Sequence, residues 1–86
     1  IENAYTLSNG EFEVIEAEII ETSELINKEL KNSNLPEELR IGAILREAKV
    51  IIPRSNFIFK KDDRVVFIVK KDSISYVESI FRLSSV

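Results

Sequence analysis

Two short apolar runs constrain the fold of this chain more than any other feature of its sequence. Residues 41–45 read IGAIL and residues 65–69 read VVFIV, with a basic residue on each side of both runs. Runs of this length match a β-strand and are too short for a membrane-spanning helix. A strand without a polar side is typically covered on both faces. Because a chain this small buries only about 64% of its surface, we expect an identical chain to cover one face.

The composition is that of a folded domain with few side chains suited to catalysis. Hydrophobic residues make up 44% of the chain and charged residues 31%, which excludes a disordered chain. The absence of Cys excludes a disulfide scaffold and a thiolate metal site, and the absence of His removes the commonest general base. We interpret Glu16 and Glu18 as a solvated strand face and Asp62-Asp63 as a turn. We therefore expect no catalytic residues, no metal site, no cofactor and no enzyme activity.

Charge is divided unevenly along the chain. Residues 1–38 hold ten acidic and two basic side chains, whereas residues 39–86 hold ten basic and five acidic ones. We interpret this as attraction between the two halves of one fold, and the alternative is that the basic half faces an anion such as a phosphate. An acidic pI near 5.0 argues against a nucleic-acid-binding module.

The organisation of the chain indicates one domain. Residues 1–10 are polar, end in Asn-Gly and are expected to be a linker from an upstream domain. Residues 11–86 are expected to form a single domain. The chain starts at Ile1 and contains no Met, so we expect it to be part of a longer protein. Neither a long apolar run nor a basic-then-apolar leader is present, so we expect a cytoplasmic location without direct membrane insertion.

The hydrophobic pattern predicts a two-layer α+β fold. It consists of a small mixed or antiparallel sheet of about four strands with two helices, in the order β-α-β-β-β-α. The two strands that flank Glu47-Ala48 are expected to form a hairpin, which Pro53 ends. The predicted strands cover residues 11–20, 40–46, 49–52 and 64–69, and the predicted helices cover residues 23–31 and 73–83.

Residues 35–69, LPEELRIGAILREAKVIIPRSNFIFKKDDRVVFIV, resemble the TrkA C-terminal domain, also called RCK-C. That family shows an apolar strand ending in Arg, a tight turn, a second strand ending in "iiP", a "GD" turn and a hydrophobic strand. The matching features here are the strand ending at Arg46, the strand ending at Pro53 and the Asp62-Asp63 turn. Ser55 and Asp62 stand where glycines are usual. With its flanking pieces, the resemblance covers residues 11–86.

The resemblance implies a regulatory domain of a potassium or other cation transport protein. Such domains follow a nucleotide-binding domain or are attached to a membrane transport protein, which implies a position at the inner face of the membrane. They form homodimers, and in some members the dimer interface binds cyclic di-AMP. The matching site residues here are Arg46, Ile51, Ile52 and Pro53. A guanidinium suits a phosphate, and the apolar residues can contact an adenine.

Other interpretations of these residues remain open. Arg46 can be a solvated charge at the end of a strand, with the Ile-Ile-Pro segment serving as core and dimer contact, and Arg54 is a second candidate for ligand binding. At the level of function, the alternative is a purely structural dimerisation module without a small-molecule ligand. A small nucleic-acid-binding β domain is a third hypothesis, which the acidic pI and the absence of an aromatic and basic stripe disfavour.

Overall fold

A five-stranded antiparallel sheet forms the body of the protein in the computed structural model, which describes residues 3–6 and 10–81. The order of its strands is β1-β2-β5-β3-β4. Their bounds are Asn3–Thr6 (β1), Phe12–Glu18 (β2), Arg40–Arg46 (β3), Lys49–Ile51 (β4) and Arg64–Lys70 (β5). One α-helix, Ile74–Phe81 (α1), and two 3₁₀ turns, Leu30–Asn32 and Lys71–Ser73, complete the regular structure of the described residues. The α+β class is therefore confirmed, with one α-helix instead of two.

The core lies on one face of the sheet, beneath α1. Phe67 from the central strand β5 and Phe81 from α1 are fully buried and stack with ring centroids 5.2 Å apart. Buried side chains from the loops pack around these two rings and complete the hydrophobic core. The buried hydrophobic residues are Ile15, Ala17, Ile19, Leu25, Leu39, Ile44, Phe59, Val65, Phe67, Val69, Val77, Ile80 and Phe81. None of the helical segments among residues 10–81 has the length and hydropathy of a membrane span.

The opposite face of the sheet has no helix on it among the described residues. Side chains on this face pair across the strands, with Val14 opposite Ile68 and Ala43 opposite Val66. Ile68 is 42% exposed, and the other three are half-buried. This open face of the sheet agrees with the expectation that the chain itself covers only one side of its apolar strands.

The hairpin forms as predicted, without the usual turn sequence. Glu47 and Ala48 connect β3 to β4, and their φ angles are 50° and 65°. Two central residues with positive φ define a type I′ turn, which matches the twist of the flanking strands and normally contains Asn-Gly. Asp62 also has a positive φ, 73°, at the position where the resembling family usually has glycine.

The predicted helix over residues 23–31 is wrong. This segment forms successive turns, and Asn27 has a φ of 66° that no α-helix contains. Its backbone instead bonds across to the segment before β5: the Asn27 N–H donates to the Phe59 carbonyl and the Leu30 N–H to the Phe57 carbonyl, both at 2.8 Å. A helix shorter than about 12 residues is marginal by itself, so these tertiary bonds prevail over its local propensity.

The two ends of the chain depart from the sequence predictions in smaller ways. Residues 3–6 lie in the segment interpreted as a linker, yet they form β1, which pairs with β2 from Asn3 opposite Glu16 to Thr6 opposite Glu13. The sheet therefore has five strands and not four, while the domain boundaries themselves stay a prediction. The C-terminal helix begins at Ile74 after a 3₁₀ turn, and residues 82–83 of its predicted range lie outside the described residues.

Candidate functional site

Arg46 and Asp63 form a two-point ion pair at the turn end of the hairpin. The Nε of Arg46 donates to Oδ1 of Asp63 and the Nη2 donates to Oδ2, both at 2.7 Å. The Asp63 side chain is 1% exposed, and its Oδ2 also accepts the Lys60 backbone N–H at 2.8 Å. Parallel charge-assisted bonds of this kind fix both distance and orientation. The carboxylate interpreted from sequence as a simple turn residue is thus the buried anchor of Arg46.

The rest of the Arg46 guanidinium is also in contact with the protein. Its Nη2 donates a further bond to the Ile58 carbonyl at 2.9 Å, and its Cζ lies 4.9 Å from the centre of the Phe57 ring. Hydrogen bonding to Asp63 raises the pKa of Arg46 despite the opposing effect of burial. On the alkaline side, the contribution of this pair to stability is therefore retained up to the ordinary pKa of arginine and is lost as pH rises through the raised value. Arg46 is not a solvated charge at a strand end.

The two residues of this ion pair come from distant parts of the sequence. Arg46 closes β3, whereas Asp63 directly precedes β5, and the loop that carries Phe57 and Ile58 lies between them. Because β3 and β5 are neighbours in the sheet, their adjoining ends bring the two charges together. The ion pair therefore holds the hairpin turn against the loop before β5.

The Ile-Ile-Pro segment places its three side chains in different environments. Ile51, opposite Ile44 in the ladder, is half-buried and packs against the core. Ile52 is 71% exposed, and Val50, two residues earlier, is 68% exposed. Pro53 is half-buried and lines a cleft. Apolar side chains exposed on a short edge strand and directly after it are typical of a contact surface.

The cleft beside Pro53 is larger than a second concavity beside Arg46. Its volume is about 480 Å³, and its opposite wall is the segment from Leu30 to Ile41, including Lys31 and Arg40. A smaller hollow of about 250 Å³ adjoins Arg46 and is lined by three basic and three acidic side chains. The structure therefore separates the predicted site residues: Pro53 faces one concavity and Arg46 the other.

Three residues near these concavities were not identified from sequence as functional candidates. Asp63 was interpreted as part of a turn, and its burial depends on the pairing of β3 with β5. Lys31 lay in a predicted helix, and Arg40 was one of two arginines flanking a strand. No local signal distinguishes these basic residues from solvated charges, because the cleft wall arises from the irregular path of residues 30–41.

Comparison with known proteins gives a family and a set of relatives. The family model described as the TrkA-C domain matches residues 14–82. Over 84 residues the chain is 38% identical to the Trk system potassium uptake protein TrkA of Azorhizobium caulinodans, and this match covers 98% of the chain. Over 77 residues, covering 90% of the chain, it is 34% identical to the Trk system potassium uptake protein TrkA homolog of Archaeoglobus fulgidus. The chain spans only 18% of the length of each of these two relatives.

A solved structure shares the architecture. The RCK_C domain dimer of S. agalactiae BusR in complex with c-di-AMP matches this chain with a TM-score of 0.71 and 25% identity. The match covers 81% of this chain and 96% of that one. The sheet and helix described above are therefore those of an RCK-C fold.

Proposed function

The chain belongs to the TrkA-C domain family, and we propose that it is the regulatory domain of a potassium or other cation transport protein at the cytoplasmic face of the membrane. The observation that carries this proposal is the family match over residues 14–82, together with relatives that are potassium uptake proteins. The activity of the whole transport system lies beyond a chain that spans 18% of such a relative. The proposed partner in the same protein is an upstream nucleotide-binding or membrane transport domain.

Dimerisation through β4 is the first part of this role. Val50 and Ile52 are the most exposed large hydrophobic side chains among the described residues. Val50 lies on the edge strand β4, and Ile52 follows that strand directly. Burying such residues against a second copy removes apolar surface from water. The matched solved structure is a dimer. Residues 23–31, where the sequence predicts a helix that could also serve as a dimer contact, form turns and present no helical surface.

The oligomeric state tests this interface directly. Sedimentation at roughly 100 µM should give twice the chain mass of 9.9 kDa. A Val50→Asp variant should sediment as a monomer with unchanged secondary structure, because its side chain is 68% exposed. Tyr76→Asp is the matched control, since Tyr76 is 54% exposed and belongs to α1 and not to the hairpin. A monomeric parent chain contradicts the dimer, and a dimer that survives Val50→Asp places the interface elsewhere.

Ligand sensing at this interface is the second part. We expect cyclic di-AMP to bind near Arg46, Ile51, Ile52 and Pro53, with the apolar residues against an adenine. Arg46 retains Nη1 for a ligand phosphate, since no described residue accepts a bond from it, and it also positions the hairpin through Asp63. A ligand held between two chains shifts their relative orientation if it binds one arrangement more tightly than the other.

Calorimetric titration of the 86-residue chain with cyclic di-AMP tests the ligand. Heat and a rise in melting temperature are expected for the parent chain. Ile52→Ala should weaken binding, because this exposed side chain belongs to the predicted contact surface. The absence of heat and of a thermal shift at millimolar ligand would leave the structural dimerisation module, without a small-molecule ligand, as the better description.

A further inference from the structure

We infer that residues 27–31 and 55–59 open as a unit separately from the main sheet, and that Arg46 is the latch that keeps this unit closed. The two segments run antiparallel beside the sheet, and together they form the side ladder. Its separate opening is a conformational device built into the fold, and it needs neither a ligand nor a second chain.

The side ladder is much shorter than the ladders of the main sheet. A single β-bridge between Glu29 and Ile58 joins its two segments, whereas β2 and β5 pair over seven positions. A two-stranded ladder of this length has little stability of its own in water. Its four backbone hydrogen bonds run from N–H to carbonyl between Asn27 and Phe59 at 2.8 Å, Phe59 and Lys28 at 3.1 Å, Leu30 and Phe57 at 2.8 Å, and Lys31 and Ser55 at 2.9 Å. The side ladder therefore depends on its contacts with the rest of the protein.

Arg46 ties the side ladder to the main sheet. As the last residue of β3, it donates from Nη2 to the Ile58 carbonyl at 2.9 Å, within the second segment of the side ladder. Its Cζ lies 4.9 Å from the centre of the Phe57 ring, a cation–π contact that holds the ring in place. Two bonds of 2.7 Å to Asp63 fix the guanidinium in this position. Release of the guanidinium would break all of these contacts together.

The two ends of the side ladder differ in burial. At the inner end, Phe59 is fully buried and packs edge-to-face against Phe57, with ring centroids 5.4 Å apart. At the outer end, Lys31 and Ser55 are exposed. Segments with few buried apolar contacts open at the lowest free energy. Opening therefore starts at the outer end, and the half-buried Phe57 is the apolar side chain that Arg46 keeps in place.

Backbone conformations of high energy cluster around the latch. Among the described residues, five residues other than glycine have a positive φ, and four of them adjoin Arg46 or Asp63 or belong to the side ladder: Asn27 at 66°, Glu47 at 50°, Ala48 at 65° and Asp62 at 73°. Glu47 and Ala48 bear the larger cost, because Asn and Asp adopt positive φ more readily. Such residues persist only where surrounding contacts hold them, and they concentrate at segments that switch between states. Release of Arg46 would remove the contacts that hold this strained turn.

The latch couples two surfaces of the domain. The hairpin that ends in Arg46 and the strained turn also carries the exposed Val50. The first segment of the side ladder leads through Lys31 into the wall of the cleft beside Pro53. With the latch closed, the hairpin and the cleft wall move as one body. Opening of the side ladder uncouples the exposed hairpin surface from the cleft wall.

Hydrogen exchange of the 86-residue chain, followed by NMR at increasing sub-denaturing guanidinium chloride, tests this inference. The side-ladder amides of Leu30 and Lys31 should exchange faster than the amides of the β2–β5 ladder. Their rates should also depend less on denaturant, because a local opening exposes less surface than global unfolding. Arg46→Ala should raise these side-ladder rates at least about tenfold, as expected for the loss of charge-assisted bonds, with the weak denaturant dependence retained.

Two further variants keep the test informative. Arg46→Lys retains the charge but lacks the planar pair of donors, so it should give a smaller rise and can be interpreted even if Arg46→Ala does not fold. Arg40→Ala is the matched control, because Arg40 begins the same strand and is exposed. It should leave the side-ladder rates within about twofold of the parent values.

Three results would overturn the inference. Side-ladder amides that match the β2–β5 amides in both rate and denaturant dependence would mean that the domain opens only as a whole. A local opening that both Arg46 variants leave unchanged would show that Arg46 is not the latch. Equal acceleration in Arg40→Ala and Arg46→Ala would assign the effect to the loss of positive charge from β3, and it would also reject the latch.

Discussion

The two ends of strand β3 carry the same side chain in opposite environments. Arg46, at the turn end, donates three bonds to Asp63 and Ile58 and lies against the Phe57 ring. Arg40, at the other end, is exposed, and among the described residues its side chain donates only to backbone carbonyls of the preceding loop. An arginine therefore becomes structural where a buried carboxylate lies within its reach, and it stays available for a partner where only neutral acceptors do.

The strongest test of this comparison removes the core that both ends of β3 share. Phe67 is fully buried on β5, opposite Ile41 on β3 and Ile15 on β2. Phe67→Ala should lower the free energy of unfolding by about 3–5 kcal/mol, the usual cost of truncating a buried Phe. Chemical denaturation followed by circular dichroism measures the change. A loss below about 1 kcal/mol would mean that β5 does not support the sheet as described.

The second test compares the two arginines directly. Arg46→Ala leaves Asp63 buried without its cation, so we expect a loss of about 2–3 kcal/mol, which is reduced from the full cost of a broken buried pair because the Arg46 side chain is 31% exposed. Arg40→Ala should cost less than about 0.5 kcal/mol, as for an ordinary surface substitution. Equal losses in the two variants would remove the distinction between the two ends.

A double-mutant cycle sharpens this second test. If Arg46 stabilises the fold through Asp63, then Arg46→Ala combined with Asp63→Ala should cost less than the sum of the single variants, by about 1.5–3 kcal/mol. Additive losses would assign the effect of Arg46 to its contacts with Phe57 and Ile58 instead.

The smallest expected effect concerns the turn that follows Arg46. Ala48 has a φ of 65°, a conformation that costs an L-residue about 1–2 kcal/mol and glycine almost nothing. Ala48→Gly should therefore raise the free energy of unfolding, by about 0.5 kcal/mol after the larger entropy loss of glycine is included. Gly10→Ala is the reciprocal control: its φ is 73° and nothing lies within 4 Å of the added Cβ, so only backbone strain changes and stability should fall. A loss of stability in Ala48→Gly would contradict the turn geometry.

The strands could be predicted from sequence because their signal is local. Apolar runs bounded by charges identify β3 and β5, and Pro53 ends the hairpin. The path of residues 23–31 could not be predicted from sequence. Leu25 and Leu30 fit the apolar stripe of a helix as well as they fit the observed turns, and the turns depend on hydrogen bonds to residues 55–59 that no local pattern reveals. Local propensity is a weak prior where tertiary bonds compete with it.

The candidate site was only partly predictable for the same reason. Pro53 could be identified through the family pattern, and it does line a cleft. The engagement of Arg46 depends on Asp63, which is distant in sequence and becomes a neighbour only when β3 and β5 pair. Arg40 and Arg46 both stand at strand ends with similar sequence neighbours. Their different hydrogen-bond partners are set by the tertiary structure, which brings Asp63 to Arg46 and only backbone carbonyls of the described residues to Arg40.

The central position of β5 affects how the chain is synthesised. Among the described strands of the sheet, β5 is translated after the other four, yet it joins the β1–β2 pair to the β3–β4 hairpin. An isolated hairpin has little stability in water. While residues 64–70 are still in the ribosome, the emerging chain therefore exposes two unfinished half-sheets, whose apolar faces are targets for chaperones and for aggregation.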